Sequence, residues 1–478
     1  MSSTVPLAAG PFEPTWESLR GYQCPDWFRD AKFGIWAHWG PQCVPMVGDW
    51  YARHMYEPGH PQYDHHCRVY GHPSKFGYKD IIALWKAEKF DPEGLMDLYQ
   101  KAGAKYFVAQ AVHHDNFDNW DSKHHRWNSV KCGPGKNITR LWQDAAAARG
   151  LKFGVSEHLG ASFFWWRRNK LADPDGLYKG VPYDASDPQW ADLYHDNGGE
   201  PLNVGWYTAD ERWHRTWLAR MMDLVDQHHP DLLYTDGGVP FGQYGLDLIT
   251  HLYNANIARH GSNQAVYCQK DTNPDIYRVG ILDIERGQLK EAAPEPWQTD
   301  TCVGGWYFDS RQRYKTPTHV IQMLVDNVAK NGNYLLNLTQ MPDGHLDDQC
   351  LFILQTLAAW FAANGDGIYG TRPWVKVGEG TAQAEGGAFK ENPIPYTSED
   401  FRFTAKGDTV YAFCMKYPET RQLAVRSLGR DQGHVVKSVK LLGCDADIAW
   451  DQADRALVAR LPEAMVAPCV PCLAVTLG

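Results

Sequence analysis

Eight times between Lys32 and Thr339 the chain repeats one unit: a short apolar run, a polar residue where it ends, then a turn marked by glycine. The runs are KFGIWAHWG, AKYFVAQAVHHD, LKFGVSEHLG, DLLYTDGG, QAVYCQK, GILDIERG, PWQTDTCVGG and GNYLLNLTQMPDG. Segments with apolar residues at helical spacing fall between several of them, such as DPEGLMDLYQKAG, NITRLWQDAAAARG, RWHRTWLARMMDLVDQHHP and TPTHVIQMLVDNVAKNG. Strands that alternate with helices must pair in parallel, and eight of them predict a (β/α)8 barrel of the TIM type. The second half is irregular. Only about 15 residues separate the starts of QAVYCQK, GILDIERG and PWQTDTCVGG, too few for full crossover helices.

DDQCLFILQTLAAWFAANGDGIYG reads as a closing helix. After about Trp374 the texture changes to short strands with turn signals and no helices: DFRFTAKGDTVYAFCMKY, RQLAVRSLG, HVVKSVKLLG, RALVARLP. This predicts an antiparallel β-sandwich. Residues 1–375 are therefore expected to form the barrel and 376–478 the sandwich, whose main task is to pack on the barrel and which could lend a loop to the site.

Composition narrows the function. Of 478 residues, 44% are hydrophobic and 22% charged, as in a globular protein. A formal charge of −10 without a clustered Lys/Arg stripe excludes a polyanion such as nucleic acid as the expected partner. No apolar stretch approaches the roughly 18 residues of a membrane span. The opening MSSTVPLAAGPFEPTW has neither a positive n-region nor an h-region, so no leader is expected in the sequence as given. Eleven scattered cysteines, with only the CVPC pair closely spaced, read as buried thiols and favour a reducing compartment such as the cytoplasm. Twenty Trp and 24 Tyr serve either a large aromatic core or stacking platforms for a ligand with apolar CH faces, such as a sugar.

A barrel of this kind carries its active site at the C-terminal ends of its strands. There stand His38, His113, His114, Asp115, Glu157, His158, Asp236, Glu285 and Asp300. So many titratable groups after so many strands point to chemistry. A metal-dependent hydrolase is one candidate, but the first strand lacks the His-x-His pair such barrels use, and we read no lysine at a strand end that could bridge. No metal or cofactor is expected. Glycoside hydrolysis is the other candidate, needing one ionised carboxylate and one protonated carboxyl. Asp236, in PDLLYTDGGVPFG, ends a buried strand and is followed by two glycines. Those glycines are either plain turn chemistry or clear space for a sugar. Glu285, in DIERG, suits the acid.

Five segments in order resemble the α-L-fucosidases of glycoside hydrolase family 29: KFGIWAHWGPQCVPMVGDWYARHMY, VHHDNFDNWDSKHHRWNSV, PDLLYTDGG, LVDNVAKNGNYLLNLTQMPDG and GIYGTRPW. The resemblance runs from about Pro25 to Trp374. It implies a retaining exo-α-L-fucosidase in which Asp236 attacks the anomeric carbon of terminal fucose on an oligosaccharide or glycoconjugate. It implies that His38, Trp50, His113 and His114 hold the sugar hydroxyls and that Trp306 faces its methyl group. In ERG…PWQTDTC the acid/base is assigned to Glu285, with Glu295 and Asp300 as competitors, and Arg286 is expected to form an ion pair. Three departures stand out: Asn116 replaces the usual Gly after the paired histidines, Glu157-His158 replaces a tyrosine contact, and Asn137 stands where Asp is common. We assign the contact to His158. A catalytically silent fucose-binding protein on the same fold is the alternative. Linkage preference and self-association are not legible in the sequence.

Overall fold

The computed structural model describes residues 6–196, 205–464 and 469–478. The eight apolar runs become eight parallel strands: β1 (Phe33–Ala37), β2 (Tyr106–Val112), β3 (Lys152–Glu157), β4 (Leu232–Thr235), β5 (Val266–Gln269), β6 (Ile281–Leu282), β7 (Trp297–Cys302) and β8 (Gly332–Asn337). They pair in the order β6-β5-β4-β3-β2-β1-β8-β7. The ring closes where Asp283 lies opposite Gln298. Nearly every strand residue is buried, as expected of a parallel sheet covered on its outer face by helices.

The sequence also shows why the helices start where they do. Asp91 caps Pro92–Lys101 by accepting the Gly94 N–H, and Thr316 caps Pro317–Ala329. Asn137 caps Ile138–Ala148 by accepting the Arg140 N–H at 3.0 Å, so the Asp-to-Asn departure keeps the capping bond. Asn116 takes the left-handed conformation (φ 64°). Its side chain also donates to the carbonyls of Asp192 and Leu193 and accepts from Arg220, bonds a glycine could not make.

The second half of the barrel is irregular, for the reason the spacing implies. A single helical turn, Pro274–Tyr277, separates β5 from β6, and among the described residues no helix separates β6 from β7. Main-chain bonds replace the missing crossover: Ile284 N–H to the Gln298 carbonyl at 2.9 Å and Arg286 N–H to that of Asp300 at 2.7 Å. Glu285 is thereby fixed between two anchored neighbours.

Helix Asp348–Asn364 ends the barrel. β9 (Arg372–Glu379) then spans the point where the sequence texture changes. The strands that follow are β10 (Phe401–Lys406), β11 (Thr409–Cys414), β12 (Gln422–Val425), β13 (Val436–Leu441), β14 (Trp450–Gln452), β15 (Leu457–Arg460) and β16 (Cys472–Leu477). β9 opens a five-stranded antiparallel sheet ordered β13-β16-β11-β10-β9, facing a three-stranded sheet β12-β15-β14. Phe401, Phe403, Leu423, Val425, Leu457, Leu473 and Val475 fill the space between them. Of the cysteine-bearing tail, β16 (Cys472–Leu477) is a strand and residues 465–468 lie outside the described ones. All eleven cysteines are free thiols. No described helix is long and apolar enough to cross a membrane.

Candidate active site

The C-terminal mouth of the barrel holds a pocket of about 540 Å³. His38, Trp50, His113, His114, His158, Asp236, Glu285 and Trp306 all line it, so the structure brings together the eight residues assigned to catalysis and sugar binding from the sequence. Each side chain follows its strand by one to a few residues, except Trp50. That residue precedes the short helix Tyr51–His54 in a left-handed conformation (φ 60°).

Of the remaining strand-end candidates, Asp300 also lines the pocket. Glu157 does not: it is buried beneath, accepting the Leu159 N–H at 2.9 Å and the Trp217 indole N–H at 3.2 Å. Asp115 is likewise buried and accepts the Tyr78 hydroxyl at 2.5 Å. Glu295 lies at a different cavity, 3.3 Å from Arg278. Arg286 forms its ion pair with Glu391 at 2.6 Å.

The structure corrects one expectation. A lysine does stand at a strand end: Lys270 follows β5 directly, in QAVYCQK. Its N–H donates to the Gly237 carbonyl at 2.7 Å, which sets it beside Asp236 on the neighbouring strand. Its Nζ lies 2.7 Å from Asp236 Oδ1, 2.5 Å from Glu285 Oε2 and 3.8 Å from Asp300 Oδ2. Asp49, Trp206 and Phe389, which no sequence pattern singles out, complete the wall.

The glycines after Asp236 also have a more local explanation than room for a ligand. Gly237 adopts φ +100°, and a Cβ there would come within 2.6 Å of the Tyr207 hydroxyl. That hydroxyl donates toward the carbonyls of Asp236 at 3.2 Å and Gly238 at 3.0 Å, clamping the turn. Gly237 is needed for its dihedral and for Tyr207.

The electrostatics separate the carboxyls. Burial opposes charge on Asp236, but Lys270, His158 and His114 outweigh it and hold the carboxyl well below its usual range. Burial pushes Glu285 up, and Asp300 and Asp236 add to that against the pull of Lys270. Burial opposes charge on Lys270 too, yet Asp236, Asp300, Glu285 and Asp283 keep it an ammonium. Burial also raises Asp300, and raises Asp283 strongly, with Asp300 the next cause. Loss of hydration pushes Asp49, half-buried in the pocket wall, up to about 7.

The imidazoles are mostly neutral. Burial drives His38 and His113 well below the usual value and His158 down to about 4. Gln42 Nε2 lies 3.0 Å from His113 Nδ1 and donates to it, leaving Nε2–H as the free donor. His114 donates through Nδ1 to the His158 carbonyl at 2.5 Å, and its Nε2 sits 3.3 Å from Asp236 Oδ2. His38 Nδ1 and His158 Nε2 are buried and have no hydrogen-bond partner. Buried polar atoms of this kind call for a hydroxyl-bearing ligand. The indoles of Trp36 and Trp306 stand 5.5 Å apart beside them.

Two trios, His38-His113-His158 and His114-His158-Asp236, have donor atoms within 4.8 Å of one another, near enough to share an ion. However, Lys270 already balances Asp236, and His113 and His114 each commit one nitrogen to the protein. The set fits hydroxyl recognition better than metal ligation.

Fold and pocket together are those of a barrel glycoside hydrolase. The α-L-fucosidase family model matches residues 1–366, and the α-L-fucosidase C-terminal domain model matches residues 394–477. The chain belongs to the α-L-fucosidase family. It is similar to the tissue α-L-fucosidase of Homo sapiens, 26% identical over 464 residues, covering 95% of this chain and 88% of that protein. The α-L-fucosidase of Branchiostoma floridae is 27% identical over 463 residues, covering 92% and 89%. Among solved structures, the Thermotoga maritima α-fucosidase in complex with fucose shares the fold, with a TM-score of 0.75 and 24% identity over 97% of this chain and all of that one.

Proposed function

We propose that the protein is a retaining exo-α-L-fucosidase that removes terminal α-L-fucose from oligosaccharides or glycoconjugates, with Asp236 as nucleophile and Glu285 as acid/base. The observation that carries this reading is the single ammonium touching both carboxyls. The near oxygens can be no farther apart than those two bonds laid end to end. So close an approach supports a retaining pair, whose carboxyls stand roughly 5–5.5 Å apart, over an inverting pair, which needs roughly 6.5–9.5 Å to admit water.

Asp236, ionised, attacks the anomeric carbon while Glu285 gives its proton to the leaving oxygen. Glu285 then takes a proton from the water that opens the glycosyl ester. His38, His113, His158 and Trp50 hold the hydroxyls through their free nitrogens, His114 meets the sugar from its place beside Asp236, and Trp306 covers the apolar face of the sugar. A wall of histidine and tryptophan at the barrel mouth supports recognition of a terminal sugar residue.

The test is release of nitrophenol from 4-nitrophenyl α-L-fucopyranoside by wild type, Asp236→Gly and Glu285→Ala, with and without azide. The wild type should turn over and Asp236→Gly should be inactive. Azide should rescue Asp236→Gly with a β-fucosyl azide product and Glu285→Ala with an α product. Ordinary turnover by Asp236→Gly would remove Asp236 from its role. Binding of fucose without turnover by wild type would leave a silent binding protein.

A further inference from the structure

Among the described residues, Lys270 is the group in the pocket that touches both reacting carboxyls, and the two-carboxyl reaction as written does not use it. Two of its three N–H bonds go to Asp236 Oδ1 and Glu285 Oε2. Its ammonium also lies over the Tyr234 ring, 5.6 Å from the centroid, and Tyr234 in turn donates its hydroxyl to Asp300 at 2.9 Å. The lysine is thus held from below and from both sides.

The charges facing it are unevenly divided. On the Asp236 side stand His114 and His158, with neutral His38 behind them. On the Glu285 side stand Asp300, with Asp283 beyond it, and Asp49 across the pocket. Arg286, next to Glu285 in the chain, is turned away to Glu391. Lys270 is therefore the cation that makes contact with Glu285 among otherwise acidic neighbours.

We propose that Lys270 is a positioning residue for both carboxyls and the fixed positive charge beside which the negative charge passes from Asp236 to Glu285 as the glycosyl-enzyme forms. This rests on the assignment of those two residues above. In the free enzyme the unit negative charge is on Asp236, and Glu285 carries a proton. In the first step a bond forms between a carboxylate oxygen of Asp236 and the anomeric carbon. The bond from that carbon to the leaving oxygen breaks, its electron pair stays on that oxygen, and the oxygen takes the proton of Glu285. Asp236 is then a neutral ester and Glu285 a carboxylate. The negative charge has vanished from one side of the ammonium and appeared on the other, so the ion pair persists. Water attack reverses the transfer: Glu285 regains a proton, and the carboxylate of Asp236 is released. A preorganised cation that meets charge where it develops costs no reorganisation during the step.

The experiment compares wild type with Lys270→Met, Lys270→Gln and Lys270→Arg in the full chain, following kcat/KM from pH 4 to 9. Aryl fucosides with good and poor leaving groups are both used, and Asp236→Gly serves as a control. Removing a positive charge raises the pKa of both carboxyls, so both limbs of the pH profile should move to higher pH in the Met and Gln variants. kcat/KM should fall about 100-fold, and more for the poor leaving group, which places more charge on Glu285. Lys270→Arg should restore the limbs and most of the rate. Activity lost with both limbs at their wild-type positions would mean a merely structural lysine, and activity within threefold of wild type would mean none of these roles; either overturns the inference. Turnover by Asp236→Gly would instead overturn the nucleophile assignment on which it rests. Should the Met variant fail to fold, the Gln variant decides, since it loses the charge while keeping a polar hydrogen-bond donor.

Discussion

Phe389 donates its main-chain N–H to the main-chain carbonyl of Glu285 at 2.9 Å. The residue lies between β9 and β10, more than a hundred positions along the chain, and the stretch around it is pinned by Gly387 N–H to the Gln288 carbonyl at 2.8 Å. The sandwich thus does more than pack on the barrel, since the segment inside its sheet reaches the pocket. Phe389 holds its place with a left-handed backbone (φ 58°), and the residue is 63% exposed. We expect an exposed aromatic held at the pocket mouth by a strained backbone to meet the aglycone beyond the terminal sugar.

Replacing Phe389 by glycine should therefore have two opposite effects. Relief of the left-handed strain should hold or raise the melting temperature, because glycine adopts that dihedral freely. Loss of the ring should raise KM for a fucosylated oligosaccharide about 5-fold, in keeping with ~1 kcal/mol for one aromatic contact, and change KM for a methyl fucoside little. Equal changes for the two substrates would show that the ring meets no aglycone.

Glu157 offers a pH test of stability without touching the pocket. It is fully buried, and burial pushes its carboxyl up to about 7 against an ordinary 4.5. The folded state therefore keeps a proton that the unfolded chain releases above pH 4.5. Stability from this group is complete below that pH, falls as pH rises toward 7, and levels off beyond it. Glu157→Gln removes the titration and retains an acceptor for the Leu159 N–H. Its unfolding free energy relative to wild type should improve from pH 4.5 to 8 by about 2–3 kcal/mol, read from urea titrations at each pH. A constant difference across that range would show that Glu157 does not hold its proton.

The strands were legible because each joins an apolar run to a polar end, and that pairing survives without any tertiary information. The same grammar exposed His38, His113, His114, His158, Asp236 and Glu285. Lys270 escaped it because a lysine after a strand is usually a solvated charge, and only the neighbouring strand's register sets this one against Asp236. Trp206 and Phe389 escaped for another reason: they come from connections whose path no local pattern encodes. Gly237 stands out in the sequence for a reason closer at hand than a ligand, since Tyr207, thirty positions earlier, is the group a side chain there would strike. Sequence pattern locates the residues that stand on the sheet and is silent about which loop folds over it.

Chelation separates the hydrolytic mechanism from its metal-dependent rival. Lys270 supplies the charge that an ion at Asp236 would otherwise bring. Dialysis against EDTA should leave kcat and KM for the aryl fucoside within twofold of their starting values, and added zinc or manganese should restore nothing. Loss of turnover recovered by one metal would reassign the histidine trios as its ligands.

The contact between barrel and sandwich is held by a buried charge cluster that can be broken at one atom group. Asp326, on the helix Pro317–Ala329, is buried and receives Lys330 Nζ and Arg402 Nε, each at 2.5 Å. Arg402 comes from β10 of the sandwich and directs its other nitrogens to the carbonyls of Phe401 and Ala382. Lys330 follows the helix of Asp326. Removing the shared anion leaves two cations facing one another out of water, the most destabilising way to break such a pair. Asp326→Ala should lose about 3–5 kcal/mol, seen as a lowered melting temperature. Arg402→Met in the same background should recover part of that loss, because it removes one uncompensated charge while keeping the stem's packing. The recovery distinguishes charge from cavity: a double variant no more stable than Asp326→Ala alone would show that the lost volume, not the unpaired cations, sets the loss.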